Sequence, residues 1–158
     1  MPILARAMFG LVNWAARKGL AESSAPPARS EAAGRKSRRT GVRGETYAYW
    51  YLRRNGYVMI ARNFTYRGVK GEIDLVGYDG ETLAFVEVKT RTSTSGDFGS
   101  PEDAVTAGKQ QHLSRMARQF VREYRAVGAP FRFDILAIEA PPGQHPVVRL
   151  HKGAFAAQ

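Results

Sequence analysis

Asp74, Glu87 and Lys89 are the side chains of this 158-residue sequence best placed to do chemistry together. They lie in two alternating runs, Glu72 to Tyr78 and Thr82 to Thr90, separated by Asp79-Gly80. Such a dipeptide between alternating apolar runs signals a β-hairpin. Side chains alternate faces along a strand, so Glu72, Asp74 and Val76 share a face of the first run, while Glu87 and Lys89 share one with Leu83 and Phe85. A connection of two or four residues sets Phe85 or Glu87 opposite Asp74, and either register gathers Asp74, Glu87 and Lys89 on one side. Carboxylates this close raise one another's pKa. A divalent cation relieves the conflict, because Mg²⁺ takes one or two carboxylates, keeps several waters and binds phosphate. The plainer alternative is a surface hairpin whose Glu/Lys cross-strand pairs contribute roughly a few tenths of a kcal/mol each.

Other elements must position these residues. Glu45 to Arg54 reads as a helix ended by Gly56, with Glu45, Ala48 and Leu52 on one stripe. Glu45 on its first turn is either a further carboxylate for the metal site or an acid favourably placed against the helix dipole. Tyr57 to Phe64 reads as a strand. Thr92 to Pro101, rich in Ser, Thr and Gly, reads as a mobile loop able to close over a substrate. Glu102 to Val127 reads as a helix, with a break at Gly108 as one option. Its buried side is Leu113, Met116, Ala117, Phe120 and Tyr124. Opposite lie Arg115, Arg118, Arg122 and Arg125, a line of about 15 Å, offset only by Glu123. Solvent faces normally mix signs, so a one-sign stripe suits a phosphate track. Phe131 to Glu139 and Val147 to His151 read as the last strands, around a Pro141-Pro142-Gly143 turn. His112, His145 and His151 lack metal-ligand spacing and are expected in surface or packing roles.

Length allows one domain with one substantial core. The formal charge is +10, and most of it is N-terminal: residues 1 to 43 carry nine Lys/Arg against two Glu, the remainder fifteen against twelve acids. Met1 to Leu20 has the spacing of a short amphipathic helix, and Ser23 to Arg39, with Pro26-Pro27 and a basic run from Arg35, reads as a flexible linker. Residues 1–40 are therefore expected to form a basic extension, and 41–158 the folded domain. There is no cysteine, which excludes disulfides, thiolate zinc sites and cysteine nucleophiles and accords with a cytoplasmic setting. No apolar run approaches the length of a membrane span, so no stable insertion is expected. Phosphate-loop, serine-elbow and dinucleotide motifs are absent from the sequence.

A helix with Gly44-Glu45, a strand, then Gly71-Glu72-Ile73-Asp74-Leu75 and Phe85-Val86-Glu87-Val88-Lys89 resembles the PD-(D/E)xK nuclease superfamily. More narrowly it resembles the YraN family of bacterial proteins, through Gly56-Tyr57, Arg62-Asn63, Lys109, Arg132-Phe133-Asp134 and Lys152-Gly153-Ala154-Phe155. The likeness spans about Gly41 to Phe155. It implies an α/β fold with a restriction-endonuclease-like core, a mixed central β-sheet flanked by helices. It implies metal-dependent hydrolysis of nucleic-acid phosphodiesters, on DNA rather than RNA, with branched or junction DNA among the candidate substrates. Asp74 and Glu87, assisted by Glu45 and the Val88 carbonyl, would hold Mg²⁺ or Mn²⁺, and Lys89 would serve the reaction. Lys109 and the arginines would hold the nucleic-acid backbone. Ile73 stands where the general motif has Pro. Glu72 has no counterpart in that motif, and Asp134 recurs in the narrower family without an assigned role. A homodimer is among the arrangements the resemblance allows. The competing function is a non-catalytic nucleic-acid-binding module on the same fold.

Overall fold

The computed structural model describes residues 43–91, 105–141 and 143–158, together with Ile3 and Gly10. The remainder of the basic extension and the loop expected over Thr92 to Pro101 lie outside the described residues. Residues 43–54 are helical (α1). They are followed by β1 (Val58–Tyr66), β2 (Val69–Asp79), β3 (Thr82–Arg91), the helix α2 (Ala107–Glu123), β4 (Phe131–Glu139) and β5 (Val147–Phe155). The strands form one sheet in the order β1-β2-β3-β4-β5. Neighbours are antiparallel except β3 and β4, which run parallel. A parallel pair needs a long crossover, and α2 lies within it.

β3 explains the layering. Leu83, Ala84, Phe85 and Val86 are all buried, as expected of a central strand covered on both faces. Ala84 and Val86 join Leu75, Leu136 and Ile138 in a core with Tyr47, Ala48 and Leu52 of α1. Leu83 and Phe85 join Phe133 and Ile135 in a second core with Leu113, Met116, Ala117 and Phe120 of α2. The described residues thus form a mixed α/β fold, with α1 and α2 packed on opposite faces of the sheet. Among the described residues no helix is long and apolar enough to cross a membrane.

Several boundaries differ from expectation. The β2–β3 turn is Gly80-Glu81 rather than Asp79-Gly80: Asp79 pairs with Thr82, and Gly80 adopts φ +62°. Glycine tolerates that conformation because it has no Cβ. α2 starts at Ala107, where Thr106 accepts a hydrogen bond from the Lys109 N–H at 3.4 Å, so Gly108 sits in the first turn and breaks nothing. The helix ends at Tyr124, and Arg125 turns to φ +52°. Arg125 therefore leaves the line of Arg115, Arg118 and Arg122. Tyr124 stacks on Phe120 at 4.1 Å yet remains 51% exposed, so it covers the core rather than lying inside it. β5 continues past His151 to Phe155 because a register shift opposite Asp134 absorbs the irregular stretch containing Gly153.

That shift has a chemical cause. Asp134 is fully buried, and its Oδ1 accepts from the Gly153 N–H at 2.9 Å and from Arg132 Nε at 2.8 Å. Arg132 also donates to Asp79 at 2.6 Å and to the Tyr57 hydroxyl at 3.1 Å, while Lys152 reaches Asp79 at 2.7 Å. Hydrogen bonds from Lys152 and Arg132 hold Asp79 below the usual carboxylate range. Asp134 is therefore the anchor of a polar staple between β2, β4 and β5.

Candidate active site

β2 and β3 pair from Asp79↔Thr82 to Leu75↔Val86, and the ladder stops there although both strands continue. The next residues across the pair are Asp74 and Glu87, so the turn at Gly80-Glu81 selects Glu87 rather than Phe85 as the partner of Asp74. Where the ladder ends, the Val88 N–H donates to Asp74 Oδ2 at 2.7 Å. On the other side, Arg62↔Leu75 and Phe64↔Ile73 bracket Asn63, which stands across from Asp74. Asn63, Asp74 and Glu87 thus form one row across three strands.

The row is electrostatically tense. Glu87 is 5% exposed; its Oε1 accepts from Lys109 Nζ and lies 3.0 Å from Lys89 Nζ. Its Oε2 is buried with no hydrogen-bond partner. An unsatisfied polar atom of this kind costs on the order of 1–3 kcal/mol. Burial, and then the charge of Glu87, push the Asp74 carboxyl up to about 7, against the stabilising Val88 N–H. Glu45 adds to the repulsion. A cation beside Asp74 and Glu87 would use the orphaned oxygen and relieve the repulsion, so the donor set fits Mg²⁺ or Mn²⁺.

The expected residues divide into three groups. Asp74, Glu87 and Lys89 come together as the hairpin requires, with Val88 contributing its N–H. Glu45 lies on α1 close enough to perturb Asp74, but its Oε2 is held by Asn63 Nδ2 at 2.8 Å. Among the described residues no group of three Asp, Glu, His or Cys side chains gathers to hold an ion. Asp74 and Glu87 are the two carboxylates that the described residues bring together there. Glu72 is exposed and stands outside the row. Arg115, Arg118 and Arg122 are exposed on α2, and Arg118 donates to the Gln158 carbonyl. Asp134 belongs to the separate staple described above.

Three residues play parts that local sequence did not assign. Lys109, expected on the nucleic-acid backbone, is a direct counter-ion of Glu87. Asn63, singled out only by the family resemblance at Arg62-Asn63, holds Glu45 beside Asp74; its φ of +48° is a conformation that Asn tolerates better than most residues. His112, one turn beyond Lys109, packs on Gly71: a Cβ there would lie 2.6 Å from His112 Nε2, which is buried without a partner. The family resemblance singled out Lys109 without pairing it to Glu87, and for His112 the signal was its helical spacing from Lys109 on α2.

Gly44 tests the placement of Glu45. A Cβ at Gly44 would fall 1.9 Å from Thr90 Oγ1 and 3.0 Å from Thr90 Cβ, so α1 needs glycine to approach β3. Gly44→Ala is expected to push α1 off the sheet and destabilise the protein by about 1–3 kcal/mol, measured by urea unfolding. A variant at least as stable as the parent would refute that close approach.

The family model for "Uncharacterised protein family UPF0102" matches residues 44–138, which include the whole row. A UPF0102 protein of Geobacter metallireducens is 44% identical over 115 residues, covering 73% of this chain and 90% of the relative. That of Symbiobacterium thermophilum is 43% identical over 121 residues, covering 77% and 99%. That of Solibacter usitatus is 46% identical over 112 residues, covering 71% and 82%. With its helix, hairpin and acid pair all inside the matched segment, the chain belongs to the UPF0102 family, the YraN-like proteins.

Proposed function

We propose that this protein is a metal-dependent nuclease that hydrolyses phosphodiester bonds of nucleic acid, DNA before RNA, on a restriction-endonuclease-like core. The observation that carries the reading is the Asp74–Glu87 pair at the splayed end of β2 and β3, with one carboxylate oxygen unsatisfied and two lysines in contact. Asp74 and Glu87 would hold Mg²⁺ or Mn²⁺, with Glu45 and the Val88 carbonyl as adjacent oxygens. When bound, the cation supplies Lewis acidity toward the phosphate and lowers the pKa of a coordinated water. Lys89 places a positive charge beside Glu87, where it orients the attacking water or meets charge growing on the phosphoryl oxygens. Lys109 fixes the Glu87 carboxylate from α2. The proposed setting is the cytoplasm, consistent with a chain that has no cysteine. Purified protein incubated with branched, duplex and single-stranded substrates in Mg²⁺, Mn²⁺ or EDTA tests the reading, with cleavage expected only with metal.

The second reading, a binding module without catalysis, draws on the two-lysine neutralisation of Glu87 and on the want of a third gathered carboxylate among the described residues. It predicts binding indifferent to EDTA and no cleavage.

α2 supplies a further test. Arg115 and Arg122 are exposed and have no carboxylate partner among the described residues, whereas Arg118 is engaged with Gln158. If this face meets phosphates, changing Arg115 and Arg122 together to Gln should lower the slope of log affinity against log salt by about 1.8 on duplex. Thermal stability should hardly move. A parental slope would place the face away from substrate.

A further inference from the structure

Beside the acid row, α1 and β1 present a surface that the chemistry above leaves unused. Two guanidiniums approach the Tyr49 ring, Arg53 at 5.8 Å and Arg62 at 4.9 Å from its centroid. Arg53 also stands 5.3 Å over Trp50, and the two rings meet edge-on at 5.2 Å. Tyr49 and Trp50 are half-buried: part of each packs on the α1 core, and part faces outward. Arg62 is exposed and donates to Thr46 Oγ1 at 3.2 Å.

Two features make this more than a helix covering its core. The first is uncompensated charge, since among the described residues no carboxylate pairs with Arg53 or Arg62. The second is position. Thr46 follows Glu45 and Arg62 precedes Asn63, so the patch begins one residue from the Glu45–Asn63 bond that adjoins Asp74. β1 is also an edge strand of the sheet formed by the described residues.

A ligand suited to this surface offers flat π faces to the rings and guanidiniums, and negative charge to the arginines. Unpaired nucleotides offer both; a duplex hides its base faces in its own stack. We infer that Tyr49, Trp50, Arg53 and Arg62 form a stacking platform for unpaired bases, so that the substrate carries a single-stranded segment running past β1 into the acid row. This rests on the proposed action on nucleic acid and narrows the substrate class.

The test is binding in EDTA, which separates recognition from cleavage. The probes are a labelled single-stranded oligonucleotide and a blunt duplex of the same sequence. In a Trp14→Phe background Trp50 is the remaining tryptophan; its fluorescence should be quenched by the single strand and not by the duplex. Trp50→Leu should weaken single-strand binding about fivefold or more, and Trp50→Phe, which keeps a ring, should restore most of it. Arg62→Gln should lower the single-strand salt slope by about 0.7. Duplex affinity should be unchanged in all three, with unfolding midpoints reporting that the fold is intact. Equal quenching by both probes, or parental single-strand affinity in Trp50→Leu and Arg62→Gln, overturns the platform. A protein that binds single strands through Trp50 but cuts nothing in Mg²⁺ or Mn²⁺ refutes hydrolysis and upholds the platform. A protein that cuts while both variants bind normally refutes the platform alone, and one that binds no nucleic acid refutes both.

Discussion

Asp74→Asn and Glu87→Gln are each expected to reduce cleavage to background, a loss of about a thousandfold or more, which corresponds to roughly 4 kcal/mol of barrier. Nucleic-acid binding should survive, because the carboxylates serve the ion rather than the phosphate. The same Asp74 substitution should change stability with pH in a defined direction. The Asp74 carboxyl is pushed up to about 7 by burial and by Glu87, from an ordinary value of 3.8. A raised folded-state value means that the native protein holds this proton more tightly than the unfolded chain. Its favourable contribution is therefore complete below about pH 4 and is lost as the pH climbs through about 7. Asn carries no charge at any of these values. Asp74→Asn should thus gain on the parent between pH 4 and pH 8, by about 1–4 kcal/mol, while losing activity. Mn²⁺ should close the gap from the other side, stabilising the parent by about 2.7 kcal/mol at a hundredfold excess over its dissociation constant and leaving the variant unmoved. Urea unfolding at both pH values, with and without Mn²⁺, measures all of this. Unchanged turnover in both variants would sink the catalytic assignment; a gap independent of pH would sink the electrostatic one.

The second large effect concerns Asp134. Asp134→Ala removes the acceptor for the Gly153 N–H and for Arg132 Nε, both within the buried staple. Breaking one side of a buried ion pair commonly costs about 3–5 kcal/mol, because the surviving charge stays desolvated. Asp79 still holds Arg132, which places the expected loss toward the lower end of that range. Replacing Asp134 and Arg132 together by Leu and Met should recover part of it, since neither charge is then stranded. The fraction of Asp134→Ala that remains folded should cut, in Mg²⁺, at the parental rate per folded molecule. If Asp134→Asn keeps full stability yet loses cleavage, Asp134 belongs to the reaction and not to the staple.

Much of the site was legible because its grammar is local. Alternation within ten residues puts Glu87 and Lys89 on one face whatever the rest of the chain does. A run such as Phe131 to Glu139, with six apolar residues of nine and bounded by Pro and Gly turns, suits a covered strand, and β4 has those bounds. The hairpin was clear as a hairpin. Its register needed the backbone, since the Asp79-Gly80 signal and the Gly80-Glu81 turn differ by one residue, and that residue decides whether Asp74 faces Phe85 or Glu87.

What only tertiary structure decided are the relations between elements distant in sequence. Asn63 stands across from Asp74 because of how β1 pairs with β2, and no spacing within β1 announces it. Lys109 meets Glu87 because α2 crosses over the sheet between β3 and β4, so a residue expected on the nucleic-acid backbone becomes a counter-ion. Asp134 sits on a largely buried strand, and the sequence assigned it no role; Gly153 and Arg132 are what make it a staple. Arg125 shares a helical wheel with Arg122 but not a helix, because a turn at Tyr124 ends α2 first. Periodicity reports which face a side chain takes within its own element. Which face of another element it meets depends on packing and strand register, and those are set by the whole core at once.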